Sequence, residues 1–159
     1  MQSQITETEG KPKYPVYLTT LYLSKRYSYK GNVHLGIFVN YYTGFHDYII
    51  NKRLFENENA QLKSIVGSIF LGHEYIIGRF GVVAQCGFNI YNPFVKEYYK
   101  LVNNNGFDAK LKVYNSNKLG FQYYILKNDI KNNNLFIGIY IKSNSGQADV
   151  VEYSLGFTF

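Results

Sequence analysis

The feature that most constrains this sequence is an alternation of apolar and polar residues with a period of two. In the run from residue 80 to 91, the apolar side chains of Val82, Ala84 and Phe88 alternate with Gly81 and Gln85. Successive side chains of a strand point to opposite faces, whereas the side chains of a helix repeat every 3.6 residues. Runs of this kind therefore predict β-strands.

About seven such runs follow one another along the chain, and they predict an all-β fold. Seventeen Tyr, twelve Phe and many β-branched residues favour strands as well. A transmembrane helix is excluded because no stretch of about 18 apolar residues is present. Five runs are regular and two less so: they cover residues 32–42, 79–91, 118–125, 135–142 and 151–159, and residues 16–29 and 62–72.

The two faces of these strands differ in a way that indicates their surroundings. One face carries Leu, Ile, Val and Phe, and the other carries mostly Gly, Asn, Ser, Gln and Tyr with few charges. The polar face of a soluble barrel meets water and would carry many Lys and Glu. Small neutral side chains instead suit an enclosed lumen, where Gly makes room for Tyr, with the apolar rows facing lipid. The pattern favours an antiparallel up-and-down outer-membrane β-barrel over a soluble lipocalin-like carrier, which stays the alternative.

The lengths of the connections support the same prediction. Short connections are expected at Lys30–Asn32, His73–Ile77 and Lys127–Asn133. Two long polar loops, Thr43–Gln61 and Asn92–Asn117, are expected at the opposite ends of the strands, where the short link Asn144–Ala148 is the exception. Short periplasmic turns and longer extracellular loops are typical of outer-membrane barrels.

The two ends of the chain set the predicted domain bounds. Residues 1–15 are polar and carry two prolines, which predicts a flexible lead-in before a barrel domain at 16–159. The last residues, YSLGFTF, are similar to the terminal signature that the barrel-insertion machinery reads in exported bacterial barrels. Bacterial barrels have an even number of strands, and the first fifteen residues lack a secretory signal. A barrel of 7–8 strands is expected, with either an eighth strand hidden near the N-terminus or an N-terminal truncation.

Charge and reactive residues give little sign of metal, cofactor or nucleic-acid chemistry. The net charge is +6, but Lys and Arg are scattered between the apolar runs, as expected of rim and loop residues. His34 is expected on a polar face, His46 in a loop and His73 at a turn, none beside a convincing Ser, Asp or Cys partner. Cys86 falls in an apolar row, where cysteine acts as a small hydrophobe. No metal or cofactor site is predicted.

The final predicted hairpin contains the charged residues that are the best candidates for an ion pair or a functional site. Lys142, Asn144 and Glu152 fall on the polar face, with Asp149 at the turn. An enclosed charge needs a partner, which predicts a Lys142–Glu152 or Lys142–Asp149 ion pair. A catalytic or lipid-headgroup site on the same residues is the alternative interpretation.

Four segments carry a resemblance to a known family. The segments GFNIYNPF, KLGFQYYI, IKSNSGQADVVE and GFTF resemble the C-terminal half of the acyloxyacyl hydrolase or lipid A 3-O-deacylase family. The resemblance covers about the second half of the chain. It implies a bacterial outer-membrane barrel that removes an ester-linked acyl chain from lipid A. It also implies a serine nucleophile, a histidine base and an acidic residue that orients the histidine.

The implied active site is carried over only in part. Glu152 matches the family's acidic residue in the last strand. The family's His-x-Ser pair in the preceding strand falls either on Lys142 and Asn144 or on Ile141 and Ser143, and neither alignment supplies a histidine. The implied catalytic positions are therefore Ser143, Asn144, Glu152 and Lys142.

Three functions follow as hypotheses. The first is a lipid A deacylase-like membrane protein, active or degenerate, whose partners are lipopolysaccharide and outer-membrane lipid. In that protein the basic residues Lys52, Arg53, Lys96 and Lys100 would contact the phosphates of lipid A. The second is a structural or adhesive barrel in which Lys142 and Glu152 form a lumen pair. The third is the soluble carrier.

Overall fold

In a computed structural model the chain forms one antiparallel sheet of seven strands, whose order in the sheet is their order in the sequence. The structure describes residues 14–56, 58–103, 106–126, 134–143 and 148–158. Each strand pairs with the next, so the predicted all-β, up-and-down fold is confirmed. The strands are β1 (Val16–Ser28), β2 (Gly31–Tyr42), β3 (Ile65–Ile77), β4 (Phe80–Tyr91), β5 (Asn115–Tyr124), β6 (Asn134–Ser143) and β7 (Ala148–Thr158).

The sheet is curled into a half-barrel. The ammonium of Lys118 in β5 lies 5.1 Å from the ring centre of Phe38 in β2, although two strands separate them in the sheet. Only a strongly curled sheet brings the inner side chains of such distant strands together. Strands β1 and β7 are its two edges, and a cavity of about 500 Å³ lies between them, lined by Thr20, Tyr22 and Ser154 among others.

The two faces of the sheet are arranged as the alternation predicts. On the outer face Leu21, Ile139 and Leu155 are 67%, 55% and 72% exposed. On the inner face polar side chains such as His34 and Gln85 are buried. The predicted placement of the apolar rows outside and the polar rows inside is confirmed.

Inside the sheet, aromatic rings pack against one another and against glycines. Phe38 and Phe70 stack with their ring centres 4.2 Å apart. A Cβ atom on Gly138 would come within 2.5 Å of the Tyr140 ring, which is itself buried. Glycine thus makes room for tyrosine inside the sheet, as its alternation with large rings predicts.

The prediction of two long polar loops is wrong, because both connections contain helices. These helices are α1 (Thr43–Lys52), α2 (Ala60–Lys63), α3 (Pro93–Leu101) and α4 (Phe107–Tyr114). Phe94 of α3 is buried and stacks on Phe45 of α1, with ring centres 4.2 Å apart, so the two connections pack together over one end of the sheet. We call this the helical end. None of the helices in the described residues is long and apolar enough to cross a bilayer.

At the opposite end, which we call the turn end, one predicted connection is misplaced. His73 lies within β3, and the turn between β3 and β4 is formed by Gly78 and Arg79. Gly78 has a φ of +63°, a left-handed conformation that glycine adopts without strain. The β1–β2 turn lies at residues 29–30, beside its predicted place, and the third predicted connection, at residues 127–133, lies outside the described residues. Those residues form seven strands, and the predicted alternative of a hidden eighth strand concerns residues 1–13, which lie outside them.

Candidate functional site

The strongest charge contact of the interior joins Lys118 to Glu152. The Lys118 ammonium donates to both carboxylate oxygens, at 2.8 and 3.1 Å, and both side chains are buried. Of the two ion pairs predicted as alternatives for Lys142, the one with Glu152 is not formed among the described residues, where Glu152 pairs with Lys118. In the β6–β7 register Glu152 faces Tyr140, whereas Lys142 faces Val150. The curl of the sheet lets Lys118 reach Glu152 across β6.

Lys142 nevertheless lies in the same part of the interior. Its side chain is buried, and its ammonium is 5.4 Å from the centre of the Phe38 ring. The Lys118 ammonium is 5.1 Å from that ring and 4.4 Å from the Tyr140 ring. The electron-rich faces of the two rings stabilise cations that are withdrawn from water. The other predicted partner of Lys142, the side chain of Asp149, lies outside the described residues.

Ser143 ends β6 beside an irregular point in the ladder. The register shifts between Lys142 and Ser143, and Ser143 pairs with Ala148 across the hairpin. The Ser143 hydroxyl is buried and has no hydrogen-bond partner among the described residues. Asn144 lies outside those residues. The structure thus places three of the four predicted positions near the β6–β7 hairpin without a histidine bonded to any of them.

A second polar cluster, which sequence reasoning missed, surrounds Glu74 of β3. Its carboxylate is fully buried and accepts hydrogen bonds from Asn32 at 2.8 Å and from Tyr124 at 2.6 Å. Gln122 donates to it as well, and His34 Nε2 lies 3.3 Å away. A buried carboxylate is stable only when it is paired in this way. One signal in the sequence could have found this cluster. Glu74 continues the inner face of the run predicted at residues 62–72, and that run extends beyond its predicted end at Gly72.

The histidines have acidic or phenolic neighbours and no serine partner. His34 lies beside Glu74 and its ring is 4.7 Å from the ring of Tyr22. On the outer face the Tyr27 hydroxyl lies 2.6 Å from Nε2 of His73. His46 Nδ1 lies 3.5 Å from its neighbour Asp47. Within the described ranges no histidine is hydrogen-bonded to a serine hydroxyl, and no three potential ligands are placed to hold a metal ion.

The comparisons with known proteins decide the family. A family model described as acyloxyacyl hydrolase, C-terminal domain, matches residues 2–159. The chain belongs to this family. The match confirms the resemblance seen in the second half of the sequence and extends it over nearly all of the chain. No curated protein and no solved structure matches.

In the part of this acyloxyacyl hydrolase domain that the structure describes, the two buried carboxylates both already have partners. Glu152 is held by an ammonium, and Glu74 by two amides, a phenol and a histidine. A serine hydroxyl becomes a good nucleophile when a neighbouring base takes its proton. The His34–Glu74 pair would suit such a base, yet the described contacts of His34 include no serine. The acid and the base of a triad are thus present as Glu74 and His34, whereas the hydroxyl of Ser143, which has no described partner, lies at the β6–β7 hairpin.

The basic residues expected to contact phosphate lie at the helical end, three on helices and one in a turn. Lys52 is the last residue of α1 and Arg53 follows it in a left-handed conformation. Lys96 and Lys100 lie on α3 and are exposed, and Lys100 pairs with Glu97 at 2.9 Å. The predicted loop location is therefore wrong for Lys52, Lys96 and Lys100, whereas Arg53 lies in the turn after α1. Nearby, a hydrogen bond to Glu58 raises the pKa of Lys63, so that lysine is also charged at neutral pH.

Proposed function

We propose that the protein is a bacterial outer-membrane barrel that binds lipid A with its helical end. The observation that carries this proposal is the exposed apolar outer face, which continues over all seven strands around an interior rich in polar side chains. The strands have 10 to 13 residues, and a tilted strand needs about 9–11 to cross a bilayer. A water-soluble barrel with this surface would expose far more apolar area than soluble proteins tolerate.

The orientation follows from the two ends. Outer-membrane barrels place short turns in the periplasm and longer connections outside the cell, which puts the helical end beside the outer leaflet. There Lys52, Arg53, Lys96 and Lys100 offer donors for the phosphates of lipid A. Strand β7, with its alternating side chains, would be the segment that the insertion machinery recognises.

We propose that this chain binds lipid A without hydrolysing it. Lys118 occupies the carboxylate of Glu152, which matches the family's acidic residue, at 2.8 and 3.1 Å. In the described residues the histidine of the interior, His34, lies beside Glu74 and not beside Glu152, so Glu152 orients no histidine toward a serine. The pair then serves the fold, as an internal link between β5 and β7.

Ester hydrolysis at the β6–β7 hairpin is the second candidate. The buried hydroxyl of Ser143 lacks a hydrogen-bond partner among the described residues and is therefore available to a reacting group. Lys142 and Asn144 flank it in the sequence, and Glu152 lies on the neighbouring strand. In this interpretation Ser143 is the nucleophile, and Lys142 or Glu152 is the base that takes its proton.

One experiment separates the candidates. Protein purified from membranes in detergent is incubated with lipopolysaccharide, and both bound lipopolysaccharide and released hydroxy-fatty acid are measured by mass spectrometry. The proposal expects retention of lipopolysaccharide and no more free acid than in a sample without protein. Released acid that disappears in Ser143→Ala, but persists in Ser24→Ala on the exposed part of β1, would establish hydrolysis. A protein that is soluble without detergent and retains no lipopolysaccharide would instead be a carrier.

A further inference from the structure

The turn end carries exposed cations on both of its described turns. Lys25 and Arg26 lie at the end of β1, Lys30 in the turn that follows it, and Arg79 in the turn between β3 and β4. All four side chains are exposed. They lie at the β1–β2 and β3–β4 turns, on the side of the half-barrel opposite to the helices.

No exposed carboxylate balances these cations in the described residues of the turn end. The carboxylate nearest to it, Glu74, is fully buried and bound by its own cluster. The helical end differs, because its described residues carry seven cations and five carboxylates, with two ion pairs among them. The cations there are Lys52, Arg53, Lys63, Lys96, Lys100, Lys110 and Lys112, and the carboxylates are Asp47, Glu56, Glu58, Glu97 and Asp108. Among the described residues the net positive charge is therefore larger at the turn end.

Tyrosines hold the two guanidinium groups in place at this rim. Arg26 donates to the carbonyl oxygen of Tyr29 at 2.9 Å, and its guanidinium lies 6.0 Å from the centre of that ring. Arg79 donates to the Tyr123 hydroxyl at 3.4 Å. Each contact uses one of the five donors of an arginine and leaves the others for a ligand. Tyrosines at this level are typical of the boundary between hydrocarbon and headgroups.

We propose that the turn end binds the phosphodiester groups of anionic glycerophospholipids, through Arg26, Lys30 and Arg79, with Lys25 adding charge. The inference rests on the proposed membrane orientation, which places this end in the periplasmic leaflet of glycerophospholipids. A guanidinium binds phosphate oxygens in a two-pronged geometry, and an ammonium binds them as a point charge. No exposed carboxylate of the described residues at this end weakens the attraction.

The test compares lipid retention by the folded protein. Native mass spectrometry from detergent micelles counts phosphatidylglycerol and phosphatidylcholine that remain bound. The variant Arg26→Gln/Lys30→Gln/Arg79→Gln is compared with Lys63→Gln/Lys110→Gln/Lys112→Gln, which removes the same charge from the helical end. Since each cation near an anionic surface contributes about fivefold in binding, the turn-end variant should retain phosphatidylglycerol at least about tenfold less well. The control variant should match wild type.

Two further measurements make the result decisive. Arg26→Lys/Arg79→Lys keeps both charges and should retain most of the binding, and the heat-dependent migration of each variant in detergent gels reports whether it is folded. Equal losses in the turn-end and control variants, or equal retention of phosphatidylcholine and phosphatidylglycerol by wild type, would overturn the inference. Lipopolysaccharide retention is measured on the same samples. If the wild-type protein retains no lipopolysaccharide, the proposed function is wrong. If the turn-end variant retains both lipopolysaccharide and phosphatidylglycerol as well as wild type does, only this inference is wrong.

Discussion

Lys118 of β5 and Glu152 of β7 are joined by two hydrogen bonds, at 2.8 and 3.1 Å, although β6 separates their strands. Both side chains are almost inaccessible to solvent. Each charge is therefore stable only while the other is present. The pair ties an edge strand of the half-barrel to a strand nearer its middle.

Removing the ammonium should be costly for this reason. We expect Lys118→Met to lower the free energy of unfolding by about 3–5 kcal/mol, because it leaves the Glu152 carboxylate buried and uncompensated. The double variant Lys118→Met/Glu152→Gln should recover much of that loss. Urea unfolding in detergent measures both, with the exposed Lys110→Met as the control. A double variant that is no more stable than the single one would show that the carboxylate is not the source of the cost.

The fit between glycine and tyrosine on the inner face gives a second prediction. We expect Gly138→Ala to lower the free energy of unfolding by about 1–3 kcal/mol, because its methyl group would displace a packed ring. The ring of Tyr140 cannot move freely, since its hydroxyl donates to Gln122 at 2.8 Å. Gly67→Ala is the matched control, because its Cβ would lie at an ordinary 3.5 Å from the Cβ of Tyr91. Equal stability of the two variants in urea would contradict this account.

The sequence predicts the faces of the strands well because their alternation is a local property. Whether a side chain lies inside or outside depends on its parity in the run, so Ile37 and Leu155 could be placed outside without knowing the partner strands. The same parity put Lys142 and Glu152 inside. The helices were missed because their connections contain polar residues throughout, and the pairing of Phe45 with Phe94 joins segments far apart in the chain.

The contacts of the candidate site could not be predicted in the same way. Parity shows that Lys118, Lys142 and Glu152 share a face, but the curl of the sheet decides which lysine meets the carboxylate. Likewise, the cluster around Glu74 combines residues of β2, β3 and β5. No spacing in the sequence encodes a distance across the interior.

The aromatic contact between α1 and α3 predicts how the helical end opens. We expect Phe94→Ala to make residues 43–63 and 93–114 more sensitive to protease, because the ring packs on Phe45 and holds the two connections together. Phe107→Ala is the control, since that ring is 75% exposed. Cleavage mapped by mass spectrometry should increase in both connections of the first variant and leave the strands intact. Equal cleavage of the two variants would show that this contact does not close the helical end.

Cys86 allows a direct test of whether the outer face of the sheet contacts lipid or water. It is an exposed free cysteine near the middle of β4, on the same face as Ala84 and Phe88. A spin label on Cys86 in reconstituted vesicles should be relaxed more strongly by oxygen, which concentrates in hydrocarbon, than by a water-soluble nickel chelate. In Cys86→Ser/Arg79→Cys the label sits in a turn and the order should reverse, since a charged rim lies in the headgroup region. If the nickel chelate relaxed the two labels equally, the apolar outer face would be in contact with water. The proposed membrane location would then be wrong, although the fold would be unaffected.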